Sequence, residues 1–323
     1  MEVKAVPSLD PKPDIYDTYM CTLSEESKVV AKNELREDEN IRTQALAQFR
    51  EWIAKHPKIK HCRTDAPFLL AFLRNRKFSM LQAFELFEKF LTIGHVFPNW
   101  FKKVDIDDPL FIEAVDSGIV FPLPERDAKG RKVFFEIITK FDTEKLNSDY
   151  IARASIISVL LLIRNEETQV NGVVFVADLK GLTMEWLNVW TLKEFRCLVE
   201  CYQNALPVRL KEVHIINLPP VTIAFVTAVL LTFCNEKNRK RLKFHKSYAD
   251  LEPFFDIKLL PKEYGGTVPM ADIIDSYKVD LRSKRLLMLE NIEMFADVRT
   301  TVVDEDNDIY SGASGSFRKL QID

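Results

Sequence analysis

Gly172-Val173-Val174-Phe175-Val176-Ala177-Asp178 is a near-continuous apolar run closed by an acid, and its reading decides the fold. A strand with one face in water alternates apolar and polar residues, whereas a strand covered on both faces has no such need. This run has no polar face, so it predicts a strand packed from above and below. Upstream, Val133-Phe134-Phe135-Glu136-Ile137-Ile138 reads as a second strand, and a helix from about Ser148 to Thr168 fills the gap between them. Downstream, Thr191 followed three residues later by Glu194 is a capping box, opening a helix that runs to Asn204. Val213-His214-Ile215-Ile216 is the next strand, then come a helix from Val221 to Phe233 and a short strand near Leu242-Phe244. Strands alternating with helices imply parallel pairing through right-handed crossovers, so this part of the chain is α/β with a mostly parallel sheet.

The rhythm before Gly118 is different. Residues 1–22 hold Pro7, Pro11 and Pro13 among polar residues and read as an extended lead-in. From Ser24 to His56 the pattern is helical and charged, with Leu35, Ile41, Leu46, Phe49, Trp52 and Ile53 as an apolar stripe. Asp65 can cap a short helix that ends in the basic turn Arg74-Asn75-Arg76-Lys77. Ser79 and Gln82 form a second capping-box pattern, before a helix whose Phe84, Phe87, Phe90 and Leu91 share a face. A helical unit over residues 23–115 is therefore expected to precede an α/β unit over 116–285. Residues 286–323 form a C-terminal extension whose polar stretch from Val302 is a tail that Phe317 and Leu320 could dock.

Composition narrows the function classes. The 323 residues carry a net charge of −3, which gives no global pull toward nucleic acid or membrane, so a charged partner must be met by a local patch. The first thirty residues show no signal-peptide pattern. The five cysteines, Cys21, Cys62, Cys197, Cys201 and Cys234, form no CxxC pair, which fits a reducing cytosol rather than a disulfide or zinc framework. With only nine glycines and no glycine-rich phosphate loop, nucleotide-dependent chemistry is disfavoured. Neither a G-x-S-x-G elbow nor an H-E-x-x-H pair is present, and no catalytic residues are expected. Cys197 and Cys201, one helical turn apart, read as core residues. Asp178 reads as a turn acceptor, His214 as an interior histidine, and Gly265-Gly266 as a positive-φ turn.

Val221-Thr222-Ile223-Ala224-Phe225-Val226-Thr227-Ala228-Val229-Leu230-Leu231-Thr232-Phe233-Cys234 has no charge on any side. Such a helix is either buried all round or faces something apolar. At about 14 residues it is too short for a bilayer, which takes roughly 20. Lys237, Arg239, Lys240, Arg241, Lys243 and Lys246 follow it directly. A charge run is commonly a solvated face, yet an uncharged helix beside a cationic cluster also suits docking on anionic lipid. Arg209 and Lys211 could converge on the same place.

Several long segments carry a resemblance. DAPFLLAFLRNRKF (65–78), NGVVFVADLKGLT (171–183), PVRLKEVHIINLPP (207–220) and LPKEYGG (260–266) resemble, in order and spacing, the CRAL-TRIO lipid-binding family. The similarity runs over roughly residues 30 to 280 and is nearest the tocopherol-transfer and retinaldehyde-binding group, with the final residues 315–323 resembling insect members. The resemblance implies a helical CRAL-TRIO-N unit, then an α/β domain enclosing an apolar cavity under a gate helix, here the segment from Val221. It places Arg209, Lys211, Lys237 and Arg241 where tocopherol carriers grip phosphoinositide headgroups. Against ligand it places Ala152, Ser155, Ile156, Val159, Leu198, Tyr202, Leu206, Val208, Leu210, Ile223, Val226 and Val229.

Ala152 and Ala177 stand where the tocopherol carriers have phenylalanines, which implies a differently shaped or larger cavity, and Val159 where they have a serine, which implies weaker polar anchoring; the expected ligand is a bulkier isoprenoid such as a retinoid or carotenoid. The expected protein is a cytoplasmic monomer that needs no cofactor or metal and binds no nucleic acid. It would carry a hydrophobic lipid ligand and associate transiently with phosphoinositide-bearing endosomal or plasma membranes. The alternative is a trafficking scaffold with a vestigial pocket.

Overall fold

A computed structural model describes residues 8–101, 105–140 and 142–294. Pro7 and the tail from Val302, with Phe317 and Leu320, lie outside the described residues.

The N-terminal helices start where side chains supply the missing acceptors. Ser24 caps α1 (Glu25–Val30), which runs on as a π-turn over Ala31–Leu35. Arg36, at φ 64°, breaks the path, and Asp38 starts α2 (Glu39–Lys55) by accepting from the Ile41 amide at 2.8 Å. The helical, charged stretch from Ser24 to His56 is therefore two helices. Asp65 caps α3 (Ala66–Asn75) as its sequence predicts. Ser79 precedes α4 (Met80–Val96), but its side chain caps nothing, so the expected capping box with Gln82 does not form. The backbone holds that turn instead: Lys77 and Phe78 adopt positive φ, and the Phe78 amide returns to the Leu73 carbonyl at 2.8 Å. Edge-on aromatic pairs bind α2, α3 and α4, with Phe72–Phe87 centroids 5.0 Å apart and Phe49–Phe87 5.2 Å apart. Short helices α5 (Pro98–Phe101) and α6 (Pro109–Asp116) lead to the sheet.

The sheet has five strands in the order β1-β2-β3-β4-β5. They are β1 (Val120–Arg126), β2 (Lys132–Ile137), β3 (Val173–Asp178), β4 (Leu210–Ile216) and β5 (Leu242–His245). β2 to β5 pair in parallel and β1 is antiparallel to β2. Every residue of β3 is buried, as its unbroken apolar run requires. β1 escaped the sequence reading because Pro122 and Pro124 hide it, and proline is confined to edge strands or bulges. It is an edge strand with an irregular register between Pro122 and Arg126.

The crossovers are α7 (Ser148–Leu162) and α8 (Glu166–Asn171) between β2 and β3, then α9 (Met184–Leu187) and α10 (Leu192–Glu200) between β3 and β4. Between β4 and β5 lie α11 (Pro220–Phe233) and α12 (Glu236–Arg239). The one helix expected over residues 148–168 is two, because Asn165 leaves the helix and caps α8. The Thr191–Glu194 capping box forms in full, and α10 continues through a π-turn over Cys201–Ala205. Gly172, at φ 85°, lets β4 approach, since a Cβ there would meet the Arg209 carbonyl oxygen at 2.4 Å. Two last helices, α13 (Met270–Ser283) and α14 (Arg285–Met294), complete the described chain, with α13 packing on β1 and α6.

The apolar core continues across the expected boundary near residue 115. An ion cluster crosses it too. Arg74, fully buried, donates twice to Glu37 at 2.8 Å, to Glu166 of α8 at 2.8 Å and to Gln169 at 2.7 Å.

Candidate lipid chamber and its cationic rim

Strand alternation gives the sheet one face made by Phe134 and Glu136 of β2, Phe175 and Ala177 of β3, and Val213 and Ile215 of β4. Three elements close over it. From α7, Ser155 comes within 3.5 Å of Glu136 and 2.6 Å of the Tyr202 hydroxyl. Tyr202, on the π-turn after α10, sets its ring edge-on to Phe175 at 5.5 Å. From α11, Val226 packs into one cluster with Ala177 and Ile215, and Leu230 lies against it.

The residues expected against ligand fall into three groups. Ala152, Ser155, Ile156, Val159, Leu206, Val208 and Val226 are buried, while Leu198, Tyr202, Leu210 and Val229 are half-buried. Ile223 is turned outward and 45% exposed. The helical repeat explains it: Thr222 and Val226, four residues apart, share the inward face, and Ile223 lies one step of about 100° round from Thr222. Glu136 was missed, although it is the one charged residue within the apolar run Val133–Ile138. Burial, partly offset by the Ser155 hydroxyl, pushes its carboxyl up to about 7.

Of the residues of α11, only Thr222 and Val226 are buried. Val221 is 73% exposed, Phe225 38% and Leu231 41%, so an uncharged helix presents its apolar outer face openly. Two of its three hydroxyls turn back on the backbone, Thr222 donating to the Pro219 carbonyl at 3.1 Å and Thr232 to the Ala228 carbonyl at 2.7 Å. Pro219-Pro220 opens the helix. Its far end is held by Gln203, which donates to the Phe233 carbonyl at 3.1 Å and accepts from the Asn235 amide at 2.8 Å. Among the described residues, no helix is long and apolar enough to cross a membrane.

The basic run after α11 splits. Lys240 pairs with Glu236 at 2.7 Å, and Lys243 lies over the Phe254 ring at 4.7 Å. Lys237 and Arg241 instead lie near enough to Arg209 for its charge to lower their pKa values. Partial burial lowers the Lys237 pKa, and the nearby charges of Arg241, Arg76, Lys77 and Arg209 lower it further. Arg76 and Lys77, from the turn between α3 and α4, were not foreseen there because they are remote in sequence. Among the described residues Glu34 is the carboxylate paired with this rim, 2.7 Å from both Arg209 and Lys211. Arg209 also donates to the Val170 carbonyl at 2.7 Å, and Arg241 to the Asn238 side chain at 2.9 Å.

The remaining polar residues serve the fold. Asp178 accepts from the Lys180 amide and from Asn217, both at 2.9 Å, and from the Tyr248 hydroxyl. His214 is buried against His245, with ring nitrogens 2.9 Å apart, and burial lowers its pKa to about 4. Cys197 and Cys201 sit in the core. A surface groove of about 940 Å³ runs along α2 and the lead-in, and none of its lining residues belongs to the sheet or to α11.

A family model described as CRAL/TRIO domain matches residues 116–266. Clavesin-1 of Xenopus laevis is 31% identical over 241 residues, covering 74% of this chain and 72% of that protein. Clavesin-2 of Homo sapiens is 31% identical over 252 residues, covering 78% of this chain and 77% of that protein. The crystal structure of Sfh5 aligns with a TM-score of 0.47 at 15% identity, covering 83% of this chain and 99% of that one. With its helical N-terminal unit, its mostly parallel sheet and these relatives, the chain belongs to the CRAL/TRIO domain family and is related to the clavesins.

Proposed function

We propose that this protein carries one hydrophobic small molecule under α11 and hands it over at phosphoinositide-bearing membranes. The observation that carries the reading is the position of α11: an uncharged helix with its outer face in the open, joined directly to a rim of cations. A globular protein has little reason to leave Val221, Phe225 and Leu231 in water unless an apolar surface covers them at some stage. Membrane docking would remove that face from water at about 25 cal/mol per Å². Each rim cation near an anionic surface adds on the order of 1 kcal/mol. Since the inner side of α11 covers Ala177 and Ile215, swinging outward would open the chamber in the same step.

Native mass spectrometry of the purified full chain tests the carrier reading: a bound apolar molecule is expected, released on transfer to vesicles containing phosphatidylinositol bisphosphate. Protein that retains nothing, and takes up nothing from donor vesicles, would instead favour an interaction scaffold. The small side chains of Ala152 and Ala177 support a bulky isoprenoid. Ala152→Phe with Ala177→Phe should weaken retinoid or carotenoid binding at least tenfold by filling space, measured by ligand titration. Unchanged affinity would remove that ligand class.

In this reading Glu34, 2.7 Å from both Arg209 and Lys211, would compete with a headgroup for them. Glu34→Gln frees Arg209 and Lys211 and removes a negative charge, so vesicle affinity should rise about fivefold, equivalent to roughly 1 kcal/mol. Co-sedimentation with bisphosphate-containing vesicles measures it, and equal or weaker binding would count against the rim as the headgroup site.

A further inference from the structure

Glu136 does nothing for the fold that the structure reveals. It caps no helix, closes no turn and, among the described residues, pairs with no cation. On β2 it lies opposite Ala177 of β3, on the sheet face that α11 covers through Val226. Glu136 is half-buried, and the surrounding protein desolvates its carboxyl. The Tyr202 hydroxyl, half-buried beside it, is desolvated in the same way. The contact from the Ser155 hydroxyl to Glu136 is 3.5 Å, at the limit for a hydrogen bond, while Ser155 and Tyr202 hold each other firmly at 2.6 Å. A buried carboxyl without a full set of partners is costly and makes sense where something else satisfies it.

The geometry points to Glu136, backed by the Ser155–Tyr202 hydroxyl pair, as the polar anchor of the chamber, selecting apolar ligands that carry one hydroxyl or carbonyl oxygen. This rests on the carrier reading above. A neutral carboxyl offers one donor and one acceptor, and either hydroxyl of the pair can be the donor between them. A ligand hydroxyl can give and accept here, and a carbonyl can accept. A carboxylate ligand would bring a negative charge with no cation to pair it into the chamber, and a hydrocarbon would leave the protein groups unpaired. Burial keeps the Glu136 carboxyl largely protonated below about pH 7, the form that donates to a ligand oxygen. The anchor comes from β2, outside the segments that carried the lipid-site expectations, and its effect is on which ligand enters rather than on how tightly apolar walls grip it.

The test offers the full chain an equimolar mixture of retinol, phytol and the matching hydrocarbons, anhydroretinol and phytane, from donor vesicles. Bound molecules are extracted after gel filtration and quantified. Wild-type protein is expected to take at least one alcohol tenfold or more over its hydrocarbon. Glu136→Leu should abolish that preference while still taking up hydrocarbon, and Glu136→Gln, which keeps one donor and one acceptor, should restore part of it. Circular dichroism confirms that both variants fold, and the glutamine variant keeps the comparison open if leucine does not. A preference unchanged in the variants, or wild-type protein that favours the hydrocarbons, overturns the anchor and leaves the carrier reading standing. Uptake of none of the four by wild-type protein counts against both.

Discussion

Arg74→Met is expected to destabilise the protein by about 3–5 kcal/mol, the scale for removing one partner of a buried ion pair. Methionine fills much of the space, so the loss is electrostatic: Glu37 and Glu166 remain buried without the guanidinium that bonds to both. Burial alone would raise the Glu166 pKa, but the Arg74 charge and the hydroxyls of Tyr19 and Thr22 hold it below the usual carboxylate range. In wild-type protein this group therefore stabilises above its unfolded pKa of about 4.3, and the benefit fades as the pH falls through the lower folded value. Without Arg74 the sign reverses, because an uncompensated buried carboxylate prefers its proton. The penalty in the variant should be larger at pH 8 than at pH 5, measured by equilibrium urea unfolding at both. A loss under about 1 kcal/mol at pH 8 would show that the cluster does not tie α3 to α8 as described.

Lys237→Ala with Arg241→Ala is expected to weaken binding to bisphosphate-containing vesicles roughly thirtyfold, from about 2 kcal/mol of lost attraction. These two are the informative pair. Lys237 has no ion pair among the described residues, and Arg241 donates to the side chain of Asn238, so removing them leaves the sheet intact. Arg209 holds the Val170 carbonyl, and the Lys211 stem packs where Gly172 passes, so changes there would confound binding with folding. Ligand affinity in solution should stay at the wild-type level, while the acceleration of transfer by phosphatidylinositol bisphosphate disappears. A double variant that still responds would place the headgroup contact elsewhere.

The sheet was legible because β3 has no polar face, and its neighbours alternate with helices long enough to cross back. Asp65, Thr191 and Glu194 marked helix starts correctly because capping depends on residues only a few positions apart. Ser79 looked equivalent but was decided by the left-handed turn before it, which leaves no mark in a non-glycine sequence. β1 was masked by its prolines. At the rim, the cations following α11 could be read as a run, but nothing local ties them to Arg76 and Lys77 or reveals that Glu34 would sit between Arg209 and Lys211. The outward position of Ile223 also depended on rotation about a helix whose uniform apolarity carries no phase information. For the same reason the uncharged composition of α11 announced an unusual helix without saying which side faced the interior.

The central claim is that α11 is a door, and holding it shut tests this most directly. Cysteines introduced at Ala177 of β3 and Val226 of α11, which belong to one apolar cluster, can be joined by a short thiol-specific linker after ligand loading. The account predicts that the joined protein keeps its ligand in the presence of bisphosphate-containing vesicles, while the same double variant without linker releases it at close to the wild-type rate. Equal release with and without the linker would contradict it.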